Sequence, residues 1–104
     1  MSKYKSAMAI QVVPIGISEK KDIYDFVDIA INCIKESGLE YLVGPFETTI
    51  EGELEDLLAL VARIQKKLID SGLKTVGTNI KLWSGNIGST SEKLNRHKEN
   101  CGRL

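Results

Sequence analysis

Tyr41-Leu-Val-Gly-Pro-Phe-Glu-Thr-Thr-Ile-Glu-Gly-Glu53, at the middle of the chain, carries two short strand patterns separated by the breaker Gly44-Pro45. We expect strands over residues 40–43 and 47–51. Helical patterns lie on both sides, so this hairpin joins a first half of the chain to a second. The stretch also places two threonines and a carboxylate in an apolar neighbourhood, which indicates a sheet segment that offers polar groups for binding.

The first half predicts one strand and one helix ahead of this hairpin. Residues 7–14 form an apolar run ended by Pro14 and Gly16, which is typical of a strand. Ser18 is expected to cap a helix that ends at Ser37-Gly38, where glycine can adopt the left-handed C-terminal conformation. The helix carries apolar residues at helical spacing: Ile23, Phe26, Val27, Ala30, Ile31 and Ile34.

The second half repeats this pattern. A helix is predicted to start near Gly52 or Glu53 and to end at Ser71-Gly72, and residues 75–83 read as a fourth strand. The helix exits Ser37-Gly38-Leu39 and Ser71-Gly72-Leu73 match, and each leads directly into a strand. The chain is therefore interpreted as a duplicated β-α-β unit.

Duplication gives the order βαββαβ, and right-handed crossovers fold both halves in the same sense. We expect one ferredoxin-like α+β domain over residues 1–104, with a four-stranded antiparallel sheet and both helices on one face. Strands one and three are central. A short C-terminal helix capped by Ser91 is predicted through His97, followed by a frayed tail over residues 98–104.

Composition excludes several classes of protein. Fourteen basic residues balance fourteen acidic ones among 104, which argues against a nucleic-acid-binding surface. The longest uncharged runs are of strand length, too short for a membrane span, and the N-terminus lacks a signal-peptide pattern. The protein is predicted to be cytoplasmic, with no membrane partner.

Few residues of the sequence suggest catalysis, redox activity or metal binding. Cys33 and Cys101 have no close Cys or His neighbours, so a buried apolar residue and a loose thiol are favoured over metal or redox work. The loop after strand one has neither the paired cysteines of a metal carrier nor a phosphate-binding arginine. His97 lies in a polar segment and is interpreted as solvated. No metal, cofactor or catalytic residue is predicted.

Strand alternation assigns side chains to the two faces of the sheet. Residues expected to face the helices are Ile10, Val12, Thr48, Ile50, Ile80 and Leu82. The opposite face, called the open face below, collects Gln11, Val13, Thr49, Glu51, Asn79, Lys81 and Trp83. Two interpretations compete here. Either this face is solvated, with Glu51 and Lys81 as an ion pair, or it packs on another subunit and lines a small pocket there, and we favour the second.

The segment Gly44-Pro-Phe-Glu-Thr-Thr-Ile-Glu-Gly52, in a βαββαβ order, resembles the thiamine-binding MTH1187/YkoF-like family (UPF0045/DUF77-type small proteins). The block Thr48 to Gly52 is that family's most distinctive stretch, and Ile10-Gln-Val-Val-Pro-Ile-Gly16 is similar to its valine-proline-x-glycine strand exit. The resemblance runs almost from end to end. It implies a ferredoxin-like fold, homodimers or homotetramers that pair through their sheets, and thiamine or hydroxymethylpyrimidine binding without catalysis.

The resemblance also implies a set of ligand residues. Glu51 would offset the thiazolium charge or accept from the amino group, Thr48, Thr49 and Asn79 would bond the ring edge, and Phe46 or Trp83 would stack on a ring. The full expected set is Gln11, Phe46, Thr48, Thr49, Glu51, Asn79 and Trp83. Two other functions remain open: a structural or regulatory oligomerisation module without a ligand, and an enzyme that uses Glu51 as acid or base.

Overall fold

The computed structural model describes residues 4–87. Its elements are β1 (Lys5–Ile15), α1 (Lys20–Glu36), β2 (Glu40–Val43), β3 (Thr48–Glu53), α2 (Leu54–Asp70) and β4 (Thr75–Ser84). The strands form one antiparallel sheet in the order β2-β3-β1-β4, with β3 and β1 central. This confirms the ferredoxin-like α+β sandwich. The predicted C-terminal helix and tail lie outside the described residues.

Strand β1 continues one residue past Pro14, although proline was expected to end it. Beyond Ile10, which is opposite Thr48, β1 pairs with β4 only. The carbonyl of Tyr4 accepts from the N–H of Leu54, and the carbonyl of Lys5 from that of Gly85. Alternation therefore points the main-chain groups of even-numbered β1 residues toward β3. The missing N–H of Pro14 falls on that side, past the start of β3, so the β1–β4 ladder is intact.

The ends of the helices confirm the duplicated pattern. Gly38 and Gly72 have φ of 76° and 107°, the left-handed conformation that lets each helix stop and the chain turn into the next strand. The serine before each glycine donates its hydroxyl to a carbonyl of the last turn. The predicted Ser18 cap is wrong: the N-cap is Glu19, whose carbonyl accepts from Asp22 and Ile23, so the first turn starts one residue later.

The core lies between the helices and one face of the sheet. Strand residues Met8, Ile10 and Ile50 meet the inner faces of α1 and α2 there. Cys33 is buried in this core, as a small apolar residue would be. Neither described helix has the length and apolar character needed to cross a membrane.

Strand β4 is covered by α2 along only part of its length. The Thr78 hydroxyl donates to Gln65 Oε1 on α2 at 3.1 Å, which fixes the even-numbered residues of β4 on the helix side. Ile80 and Leu82 lie on that side as predicted, yet both are exposed. The helix packs closest beside the first half of the strand, and these two side chains lie beyond it.

Candidate functional site

The open face of the sheet brings together most of the predicted ligand residues. Cross-strand pairing places Gln11 directly opposite Asn79, and the Asn79 amide donates to Gln11 Oε1 at 3.2 Å. Pairing on the other side of β1 sets Ala7 opposite Glu51 and Ala9 opposite Thr49. These side chains share the face opposite the two described helices, as alternation predicted.

Ala7 and Ala9 on β1 place two small side chains on this face, between those of β3 and β4. Ala7 lies between Glu51 on one side and Trp83 on the other, and both are in register with it. The Cα atoms of Glu51 and Trp83 are thus two strand spacings apart, or about 10 Å. Glu51 is only 7% exposed, although it lies on the face opposite the two described helices. A carboxylate and an indole ring therefore flank a floor of small residues.

Lys81 also lies on the open face, opposite Ala9. Its ammonium group is 3.6 Å from a carboxylate oxygen of Glu47, a partner that the sequence did not predict. Both side chains are substantially exposed, so this pair contributes little to stability. It does offset the positive charge of Lys81 on the open face.

A second hollow lies on the helix side of the sheet, between α1, the end of β1 and the turn at residues 44–47. We call it the helix-side cavity. Its volume is about 260 Å³. Most of its lining is apolar, from Ile23, Val27, Ala30 and Ile31 on α1 and from Val12 and Val43 on the strands. Tyr24 and Phe46 flank its opening, and Phe46 is 81% exposed.

Polar groups enter this cavity from the strands. Thr48 lies on the helix side of β3, as predicted, and is nearly buried. Val12 is an even-numbered residue of β1, so its main-chain N–H and C=O point past the start of β3. Among the described residues, no strand lies opposite Val12 on that side. The cavity is thus an apolar hollow with one main-chain donor and one acceptor at its edge.

The predicted ligand residues are therefore divided between two sides of the sheet. Phe46 and Thr48 line the helix-side cavity, whereas Thr49, Glu51, Asn79 and Trp83 lie on the open face. Gln11 belongs to both, because it borders the cavity and its side chain reaches Asn79. A pleated sheet separates the two groups, so one small ligand cannot contact them all within one chain.

Sequence reasoning missed several residues that shape these sites. Ala7 and Ala9 put small side chains in the middle of the open face, and their small size on a central strand was a signal that could have been used. Tyr24 was not expected at a cavity because it breaks the apolar stripe of α1. The role of Val12 follows from where β3 begins, which periodicity fixes only to within a few residues.

The other hollows among the described residues have fewer features of a binding site. Two further hollows follow the outer surface of α2 and its junction with the end of α1, and both are bordered by solvated charged residues such as Arg63. Within residues 4–87, no group of three or more His, Cys, Asp or Glu side chains is arranged to hold a metal ion.

A sequence profile described as thiamine-binding protein matches residues 8–97. The chain belongs to this family. A UPF0045 protein of Clostridium perfringens is 33% identical over 92 residues, which cover 88% of this chain and 95% of the relative. The profile match spans the helix-side cavity and the turn between the halves.

Solved structures of similar proteins share this fold over most of the chain. A DUF77 domain of unknown function from Bacillus cereus has 38% identity and a TM-score of 0.78, with 92% of each chain covered. A candidate thiamine biosynthesis/salvage protein from Thermotoga maritima has 28% identity and a TM-score of 0.79, covering 89% of this chain and 98% of that one.

Proposed function

We propose that this protein binds thiamine or its hydroxymethylpyrimidine moiety without catalysing a reaction, and that the pyrimidine ring occupies the helix-side cavity. Membership in the thiamine-binding family supports the ligand class. The proposal moves the ligand from the open face, where the sequence placed it, to the hollow that a single chain already encloses on several sides. Phe46 and Thr48 remain ligand residues.

The observation that carries the proposal is the main chain of Val12 beside an apolar hollow. A strand residue without a neighbouring strand offers one N–H donor and one C=O acceptor along the same edge. An aminopyrimidine presents the complementary pair, a ring nitrogen that accepts and an amino group that donates. The Thr48 hydroxyl is placed to make a further hydrogen bond from the adjacent strand.

The size of the cavity favours the pyrimidine over the whole vitamin. Pockets that enclose drug-sized ligands usually measure about 300–1,000 Å³. At about 260 Å³ this cavity suits a single substituted ring. The thiazolium ring of thiamine would then extend toward the opening, where Tyr24 and Phe46 offer aromatic faces to a cation.

We further propose that the open face packs against a second copy of this chain, in a homodimer or homotetramer. Val13, Ile15, Leu42 and Trp83 expose apolar surface on this face. A patch of this kind in a water-soluble chain marks an interface more often than a solvated face. The same observation favours a second candidate function, a structural or regulatory oligomerisation module without a ligand of its own.

Adjacent threonines on β3 provide the test. Hydroxymethylpyrimidine and thiamine should raise the melting temperature of the protein with saturation, because they bind the folded state. Thr48→Val removes a hydroxyl from the cavity and should weaken binding by roughly tenfold, as measured by calorimetry. Thr49→Val is the matched control on the opposite face and should leave the affinity unchanged.

Each alternative gives a different result. If neither compound shifts the melting temperature at about 1 mM, binding is weaker than any useful affinity and the oligomerisation module is favoured. If Thr49→Val and Glu51→Gln weaken binding while Thr48→Val does not, the ligand lies on the open face, as the sequence suggested.

A further inference from the structure

The turn at residues 44–47 forms one wall of the helix-side cavity. All four of its residues border the cavity, and the N–H of Gly44 donates to the carbonyl of Glu47 at 3.0 Å, which closes the turn. Phe46 is largely exposed, so its ring does little to anchor the turn by packing. The position of this wall therefore depends on what holds Glu47, the residue that precedes β3.

The side chain of Glu47 is held from the far edge of the sheet. One of its carboxylate oxygens lies 3.6 Å from the ammonium group of Lys81 on β4. Lys81 is opposite Ala9 of β1, and Ala9 is opposite Thr49 of β3. The lysine side chain therefore spans the central strand β1 to reach the turn. Because Ala9 carries only a methyl group, β1 leaves room for it on the open face.

The base of this lysine is firmly placed, because β4 pairs with β1 from Thr75 to Ser84. Asn79, the preceding residue on the same face of β4, makes a similar contact. Its amide donates to Oε1 of Gln11, which also borders the cavity. Two neighbouring polar side chains of β4 thus contact, on the open face, residues that border the cavity on the opposite side of the sheet.

We propose that Lys81 is a positioning residue for the ligand site and acts through Glu47 on the turn at residues 44–47. The lysine itself touches no ligand, since it lies on the open face and the proposed ligand lies on the helix side. Its ion pair restrains the turn and keeps Phe46 at the opening of the cavity. When the pair is lost, the turn moves more freely and the ligand is held less tightly.

The exposure of the pair sets the size of the effect. Exposed ion pairs are weak, so we expect the restraint to change the opening of the turn by roughly two- to fivefold. The same pair adds little to the stability of the whole fold, but a turn opens far more readily than a domain unfolds and is sensitive to a weak contact. The effect on affinity rests on the proposed function, whereas the restraint of the turn does not.

Hydrogen exchange tests the restraint without any ligand. The N–H of Gly44 is bonded to Glu47 and exchanges with solvent when the turn opens. Lys81→Gln should speed this exchange, measured by NMR, about two- to fivefold. Lys66→Gln is the matched control, because it removes an exposed lysine from α2, and it should leave the rate unchanged. Equal rates in the wild type and Lys81→Gln would overturn the proposal.

Exchanging the two charges separates the ion pair from other effects of each substitution. Glu47→Lys alone sets two ammonium groups against each other and should speed the exchange at least as much as Lys81→Gln does. Adding Lys81→Glu restores opposite charges and should return the rate to within about twofold of the wild type. If the double variant exchanged as fast as Glu47→Lys, contacts other than the pair would hold the turn and the proposal would be wrong.

Hydroxymethylpyrimidine tests the effect on the ligand site. In mildly alkaline buffer this compound is uncharged, so neither charge acts on it directly. Lys81→Gln and Glu47→Gln should each weaken its binding about two- to fivefold in calorimetry, and the two together should weaken it no further, because both remove the same pair. Raising the ionic strength from about 0.05 to 0.5 M should weaken binding to the wild type but not to Lys81→Gln.

Comparison with thiamine, which carries a positive charge, completes the test. If Glu47→Gln weakened thiamine binding alone and Lys81→Gln strengthened it, Glu47 would contact the cation directly and Lys81 would compete with the ligand, which contradicts a positioning role. Unchanged affinity for hydroxymethylpyrimidine in Lys81→Gln would likewise overturn that role. If the wild type bound neither compound while the exchange rates changed as expected, the proposed function would be refuted and the restraint of the turn would be supported.

Discussion

The two halves of this duplicated fold pack their helices differently against the sheet. Aligning Ser37 with Ser71 gives an offset of 34 residues between equivalent positions. On α2, residues Leu57, Leu60, Ile64 and Leu68 are all fully buried. At the equivalent positions of α1, the first two, Ile23 and Phe26, are only half-buried, and the last two are buried. The N-terminal half of α1 thus lies over a hollow, whereas the equivalent residues of α2 are packed into the core.

Side-chain volume explains part of this difference. Ala30 occupies the position on α1 that Ile64 occupies on α2, and it lines the helix-side cavity. The connections differ as well. Residues 16–19 separate β1 from α1, whereas α2 begins directly after β3. A smaller side chain and a longer connection let the start of α1 lie away from the sheet, and the candidate ligand site lies where the internal symmetry is broken.

The largest expected effect concerns equivalent apolar residues on the two helices. Leu57→Ala should reduce the free energy of unfolding by about 3 kcal/mol, because it leaves a void in a closed core. Ile23→Ala, at the equivalent position beside the cavity, should cost about 1 kcal/mol, since much of that side chain already faces open space. Chemical denaturation of both variants measures the difference.

Equal losses for the two variants would mean that α1 is packed as tightly as α2 in solution. The m-value of each transition serves as the control, because a changed slope would indicate an altered denatured state rather than lost packing.

The fold could be predicted from the sequence largely because the two halves carry the same β-α-β pattern. The matching glycine exits at Gly38 and Gly72 and the strand alternation set the topology and the faces of the sheet. The helix-side cavity was harder to predict, since it depends on the difference between the halves. Ala30 fits a helical apolar stripe as well as isoleucine does, and nothing local to Val12 indicates that β3 starts too late to pair with it.

Making the halves alike should close the cavity. Ala30→Ile restores the residue found at position 64 and projects added methyl groups into the hollow. We expect hydroxymethylpyrimidine affinity to fall by at least about tenfold, while the free energy of unfolding changes by no more than about 1 kcal/mol. Calorimetric titration and denaturation of the same sample measure both quantities.

Ala62→Ile is the matched control for this substitution, because Ala62 is an exposed position of α2 with the same loss of helix propensity. The cavity would be excluded as the ligand site if Ala30→Ile bound as tightly as Ala62→Ile.

The smallest effect is expected at the turn that closes the first half. A Cβ added to Gly44 would lie 2.7 Å from the carbonyl oxygen of Glu47, the oxygen that accepts the Gly44 N–H. Gly44→Ala must therefore move the backbone of the turn that carries Phe46, at a cost of about 1 kcal/mol.

Gly77→Ala provides the contrast in the second half. Its added Cβ would meet the flexible end of Ile15 at 3.1 Å and the carbonyl oxygen of Val13 at an ordinary 3.7 Å, so a side-chain adjustment relieves the one tight contact and stability should be nearly unchanged. Thermal denaturation of the two variants therefore compares a rigid turn with a tolerant strand. If Gly44→Ala were also neutral, the turn would be free to shift, and the opening of the cavity beside Phe46 would be adjustable rather than fixed.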